Sequence, residues 1–432
     1  MSDFDLLVRN REQDIGVSAG KIVALGQNLA GSAIEEMDTQ GLTILPGVID
    51  AHVHFNEPGR TDWEGFATGS RAAAAGGTTT IFDMPLNAHP PTIDGPSFDA
   101  KRAAAEKNSL VDFGLWGGLV PGNLAHLETL RDRGVVGLKA FMCASGIEDF
   151  PAVDHATLRD GMQRAAELDL LVAVHAETNE SIGAPTGEGT VRDFLASRPI
   201  EVELSAIRTV IDFAQETGGR LHIVHVSCGR GVALVAEARA GGVDVTCETC
   251  PHYLFLNEED MVRLGAVAKC APPLRTQTDQ DELRRRLPDV ATIGSDHSPS
   301  PWSMKETANF FEVWGGISGC QHLLPLLVDA GITTGEIARL TSSNVSHRFR
   351  ILGKGGVQVG KDADLTLIDR KGEEVVQAES LHYRHRRTPY LGRRLRGRIV
   401  RTILRGQTIF DNGSLGPRPT GRLVRPEAPT SS

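Results

Sequence analysis

His52 and His54 stand one residue apart, directly after the short apolar run Val48-Ile49-Asp50-Ala51. Pro46 and Gly47 open that run, and its composition predicts a buried strand. Residues two apart on a strand project to the same face, so both imidazoles address one point. Two neutral imidazoles on one face are the beginning of a divalent-metal site. An isolated HxH pair is commonplace. Here the rest of the chain supplies matching groups at the ends of other apolar runs. Segment 171–175 ends in His175, segment 221–225 in His225, and Ile293-Gly294-Ser295 leads into Asp296. Lys139 lies inside the otherwise apolar segment 137–142.

A lysine buried in a strand must be paired or neutralised. The productive alternative is that a desolvated, neutral Lys139 adds carbon dioxide, and the resulting carbamate bridges two metal ions. This assigns His52, His54 and Asp296 to one ion, His175 and His225 to the other, and carbamylated Lys139 to both. A hydroxide between the ions is then the nucleophile, because metals lower the pKa of bound water toward 7. Asp296 takes its proton during attack and passes it to a leaving nitrogen. His222 is expected to face outward, toward surrounding helices. His297 and His252 are candidates for groups supporting the ligands, with plain core positions the commoner alternative. Cys247 and Cys250 have CxxC spacing but read as strand packing rather than as a redox or zinc motif.

These groups need a scaffold that brings strand ends together. Apolar strand runs at 44–54, 78–85, 112–119, 137–142, 170–176, 220–227, 244–251 and 291–298 alternate with helical patterns such as 151–167, 202–216 and 231–239. That alternation predicts an α/β fold, a (β/α)8 TIM-type barrel spanning 47–351, whose chemistry sits at the C-terminal strand ends. Both ends of the chain read as short strands and hairpins instead. They predict a small β-sandwich domain built from both termini, residues 1–46 with 352–432.

A net charge of −10, from 45 basic and 55 acidic residues, argues against a nucleic-acid partner. The Arg/His-rich run 382–405 could attract an anionic partner, but reads more readily as a solvated face or subunit contact. Residues 1–6 show no signal-peptide pattern, and no apolar run approaches the roughly 20 residues of a membrane helix. Six scattered cysteines suit a reducing cytoplasm.

At these residues the chain resembles the cyclic amidohydrolases: dihydroorotases, hydantoinases (dihydropyrimidinases) and allantoinases. The resemblance spans essentially the whole chain. It implies the binuclear centre just described, usually zinc (cobalt and manganese being alternatives), hydrolytic opening of a cyclic amide, and commonly a homotetramer. Asn56–Phe66, Asp83–Asn87 with Pro90–Thr92, Lys139–Cys143 with Ser145-Gly146, Ser295–Pro299 and Trp314–Ile317 look most like the allantoinase group. That group's substrate is allantoin, a hydantoin with a neutral ureido tail, and Asn56, Asn87 and Ser145 are its expected contacts. Dihydroorotase must bind a carboxylate, and carries an arginine and a histidine where this chain has Asn56 and Ser300. Hydantoinases place a tyrosine where Ala144 stands, and the three tyrosines here are Tyr253, Tyr383 and Tyr390. Ser343–Ser346 replaces a common Asn-Pro-Ala. The alternatives are a hydantoinase-type hydrolase, or a relative that has lost catalysis and acts as a binding protein.

Overall fold

The computed structural model describes residues 2–179, 182–185 and 187–427. Eight parallel strands form the barrel: Val48–Val53, Thr78–Asp83, Asp112–Leu115, Leu138–Phe141, Leu171–His175, Arg220–Ile223, Val245–Thr249 and Thr292–Ile293. The first three pair in order, and Gly117–Gly118, continuing the third, pairs with the fourth. The fourth to eighth run on in parallel, and a bridge from Val53 to His297 closes the ring.

Alternation sorts side chains into two layers. Leu138, Ala140, Val172, Val174, Leu221 and Ile223 face the helices outside, whereas Ala173, Leu171, Phe141 and Val224 face the barrel interior. The interior is packed rather than hollow, as this architecture requires. Phe349 plugs its N-terminal mouth, with its ring 5.2 Å from Phe82 and 5.4 Å from Trp116.

Helices begin where side chains can cap them. Asp154 accepts from the amide of Thr157, so the helix expected from 151 starts at His155. Those expected at 202–216 and 231–239 run Ile200–Thr217 and Gly229–Ala240.

The two termini interleave. One sheet orders Lys21–Gly26, Asp14–Ser18, Phe4–Arg9 and Ala33–Asp38. The other contains Gln407–Asp411, Arg394–Leu404, Leu365–Val375 and Thr43–Pro46, so the N-terminal segment adds a strand beside the C-terminal ones. Leu6, Val8, Ile15, Val17 and Ile22 pack with Leu365, Leu367 and Ile403 in one small core. The five-stranded sheet leans on the barrel, where Thr402 donates to the carbonyl of Ala74 and Thr366 to that of Gly77. Past Leu415 the chain returns to the barrel, and Phe113 is bracketed by hydrogen bonds to Arg422 and Val424.

The C-terminal part of the arginine-rich run is the strand Arg394–Leu404, and several of the run's arginines meet carboxylates within the chain. Arg394 pairs with Glu373, Arg401 with Asp411, and Arg393 and Arg396 with Asp329. Among the described residues no helix is long and apolar enough to cross a membrane.

Candidate metal centre

The strand ends bring the six predicted ligands to one place. The Nε2 atoms of His52 and His54 lie 3.2 and 3.4 Å from Asp296 Oδ1. Beside them, His175 Nδ1 is 3.0 Å from His225 Nε2, and the His52 and His225 rings are 5.5 Å apart. Lys139 is wholly buried, its Nζ over the Phe141 ring at 4.8 Å, with no hydrogen-bond partner among the described residues.

Two of these residues reach the site only by leaving the strand. His225 and Asp296 have φ of 41° and 46°, in the left-handed region that non-glycine residues seldom occupy. That turn explains why the strands expected at 220–227 and 291–298 stop at Ile223 and Ile293. It also corrects the expectation for His222. In a straight strand residues three apart face opposite sides, but the turn at His225 brings both inward. His222 packs 5.6 Å from the Phe349 ring inside the barrel and bonds Thr246 Oγ1.

Each half of the site has its own buried support, which sequence reading missed. Glu248 Oε1 lies 2.8 Å from His52 Nδ1, leaving Nε2 aimed at Asp296. Gly294 makes room for it, because a Cβ there would meet Glu248 Oε2 at 2.6 Å. Asp50 accepts from the amides of Ser295 and His52 and ties the first strand to the eighth. On the other side Glu177 Oε2 lies 2.8 Å from His175 Nε2 and 2.6 Å from Arg198 Nη1. Arg275 donates to the Arg198 carbonyl, to Ser227 Oγ past the sixth strand and to Glu203, and so ties that strand end to the residue that holds Glu177. Carboxylates holding the second nitrogen of a histidine fix its tautomer and orientation, an arrangement common at metal sites. Glu177 directly follows His175-Ala176, a sequence signal that could have been used; Glu248 offers none.

The electrostatics suit a cation. Burial holds His52 and His225 well below the usual imidazole range and lowers His175 as well, keeping lone pairs available. Burial brings Lys139 down to about 7. Burial first, then Asp50 and Asp296, push Glu248 well above the carboxylate range. Burial would raise Asp296 too, but His52, a hydrogen bond from His54 and His225 outweigh it and hold it well below that range. An ionised Asp296 thus stands among imidazoles that burial keeps uncharged and beside an unpartnered amine. The 3.0 Å His175–His225 contact is close to the roughly 3.3 Å spanned by two nitrogens on one tetrahedral zinc. His52, His54 and Asp296 form a group able to hold an ion. The residues fit a metal centre.

A cavity of about 400 Å³ opens over this cluster. Residues 43–409 match the amidohydrolase family. The chain is 55% identical to an allantoinase of Rubrobacter xylanophilus, covering 99% of both chains. It is 49% identical to an allantoinase of Solibacter usitatus over 96% of this chain and 94% of that one. Among solved structures, the L-hydantoinase (dihydropyrimidinase) of Arthrobacter aurescens superposes with a TM-score of 0.95 at 32% identity, covering 98% of this chain and all of that one. The chain belongs to the amidohydrolase family.

Several expectations for this amidohydrolase pocket are redrawn by the geometry. Asn87 lines the cavity, 3.4 Å from His54 Nδ1. Asn56 does not. It is fully buried at φ 63°, donating to the carbonyl of Pro299 behind the wall. Ser145 lines the cavity but spends its hydroxyl on the carbonyls of Ile147 and Phe150. His297 sits outside the lining, held by the Gly319 amide and facing Glu64, and His252 is buried beside Tyr253. None of the three tyrosines lines the cavity: Tyr253 donates to Pro272, while Tyr383 and Tyr390 pack near His322. Cys247 and Cys250 are free core residues. Arg198 and Lys269, unforeseen, do line it.

Proposed function

We propose that this chain hydrolyses the ring amide of allantoin to allantoate, a step of purine catabolism. The observation that carries the reading is the convergence of five ligand-type side chains around the buried, unpartnered amine of Lys139. The substrate follows from the full-length likeness to allantoinases and from a wall without tyrosine.

We assign His52, His54 and Asp296 to one divalent ion, His175 and His225 to a second, and Lys139, as its carbamate, to both, with zinc the expected metal. Such ions, when bound, supply Lewis acidity and acidify a water toward neutrality. The protein's share is orientation and proton movement. Glu248 and Glu177 hold the far nitrogens of His52 and His175. Burial favours the neutral Lys139 amine, the form that can add carbon dioxide. Asp296 Oδ1 is taken by the two histidines, which leaves Oδ2 to accept a proton from the attacking water and pass it to the departing ring nitrogen. Asn87 is the side-chain contact we assign to substrate; Asn56 shapes the wall from behind, and Ser145 lines it with its hydroxyl already given to backbone carbonyls.

We take residues 47–351 as the catalytic unit and 1–46 with 352–432 as the sandwich unit. A homotetramer in the cytoplasm is the expected state, the latter in keeping with six free cysteines; light scattering checks the former. The likeness to L-hydantoinase favours hydantoin hydrolysis as the second reading. Comparison of kcat/KM for allantoin, hydantoin, dihydrouracil and dihydroorotate on metal-reconstituted protein decides. Allantoin should lead; a tenfold advantage for hydantoin or dihydrouracil would replace this reading with the second.

A further inference from the structure

Six consecutive residues, Phe311–Gly316, line one side of the cavity. The segment is neither helix nor strand, so no ladder of its own holds its carbonyls. Two lysines do so instead. Lys269 Nζ donates to the carbonyls of Phe310 at 2.6 Å, Phe311 at 3.0 Å and Val313 at 2.6 Å. Lys305 Nζ donates to those of Trp314 at 2.8 Å and Gly316 at 3.0 Å, and to Ala266 at 3.2 Å. The main chain adds a bond from the Gly316 amide to the Lys269 carbonyl. An ammonium has three donors, and both lysines have spent all three on backbone. Lys269 therefore lines the cavity without an N–H to offer a ligand. Its Nζ also lies 4.7 and 5.2 Å from the centroids of the Phe194 and Phe310 rings.

We propose that Lys269, seconded by Lys305, is a specificity-determining positioning residue that clasps the Phe311–Gly316 wall against the part of the substrate not undergoing reaction. The inference rests on the allantoin reading. Allantoin and hydantoin share the ring that must meet the histidines, and differ in the ureido tail that must meet a wall. Loosening the wall therefore penalises allantoin more than hydantoin.

Lys269→Met keeps an unbranched side chain and removes all three donors. Its KM for allantoin should rise about tenfold, with a smaller loss in kcat, while KM for hydantoin moves by about twofold or less. Metal content should equal that of the parent. Deuterium exchange of backbone amides in 304–316 should accelerate, a readout that needs no substrate. Lys305→Met should shift exchange and KM in the same direction, and it carries the test if Lys269→Met does not fold. Unchanged exchange in that segment, or an equal rise in KM for both substrates, overturns the proposal. If the parent protein does not open allantoin at all, the functional reading fails, while exchange still decides whether the clasp exists.

Discussion

Two lysines buried at opposite ends of the same barrel have opposite surroundings. Lys354, near the N-terminal mouth, contacts Asp112, Asp362 and Asp364 at 2.8, 3.0 and 2.7 Å. Lys139, at the C-terminal mouth, has no partner among the described residues. Burial alone pulls either amine down; the three carboxylates reverse this for Lys354 and hold it well above the usual lysine range, whereas Lys139 falls to about 7. Arg405 joins the lower cluster through Asp112 and, by its amide, Asp364, and Lys21 joins through Asp362. In that cluster each buried charge meets an opposite one. The upper end leaves the Lys139 amine without a partner among the described residues, where a bound group can complete it. Burial cost is thus met by protein at one mouth and deferred to a bound group at the other.

Removing each end should therefore do different damage. Lys139→Ala should abolish activity by orders of magnitude and lower metal content, with the thermal midpoint of the metal-free protein nearly unmoved; short carboxylates should restore part of the rate. Full activity with two metals bound and no added carboxylate would refute the bridging assignment. Asp296→Asn should cost about 10²–10⁴-fold in kcat with an unchanged circular dichroism spectrum, since it removes the proton carrier. A near-normal rate there would remove Asp296 from that role.

At the lower end the signs reverse. Lys354→Met strands buried carboxylates and should cost about 3–5 kcal/mol in denaturant unfolding, with kcat and metal content kept. Adding Asp364→Asn should recover part of that loss; a loss of metal instead would mean that the two ends are coupled. The smallest effect belongs to the partly exposed Arg350–Asp169 pair beside the plug, where the Arg350 hydrogen bond holds Asp169 below the usual carboxylate range. A depressed carboxylate stabilises above its unfolded pKa, and the benefit disappears as pH falls through the folded one. Asp169→Asn should thus cost about 1 kcal/mol or less at neutral pH, and the difference from the parent should begin to shrink near roughly pH 4, the unfolded value, and vanish only below the lower pKa that Asp169 has in the folded protein. Urea midpoints across pH read this directly.

The cluster of converging side chains was legible because His52, His54, His175, His225 and Asp296 stand at the ends of separate strand runs and Lys139 inside another, and the barrel because those runs alternate with helical periods. The supports were not. Glu248 lies far along the chain from His52, and its neighbours Cys247 and Thr249 give no sign that its carboxyl turns inward. Lys269 and Arg198 look like ordinary charged loop residues until the fold brings carbonyls and Glu177 to them. Periodicity also assumes a straight strand. It misplaced His222 because the backbone turns over at His225, and it could not show that Asn56 would be drawn behind the wall by Pro299.

The split sandwich bears on how the chain comes off the ribosome. Thr43–Pro46 must wait for Leu365–Val375, roughly 300 residues later, before its strand has a neighbour there. Phe4–Arg9 and its hairpin can pair early, but the apolar face carrying Leu6 and Val8 is covered only once Leu365 and Leu367 have been made. During synthesis that face is an exposed, unpartnered surface, of the kind that aggregates or recruits chaperones. The last strands of the chain thus serve as the latch that seals its first.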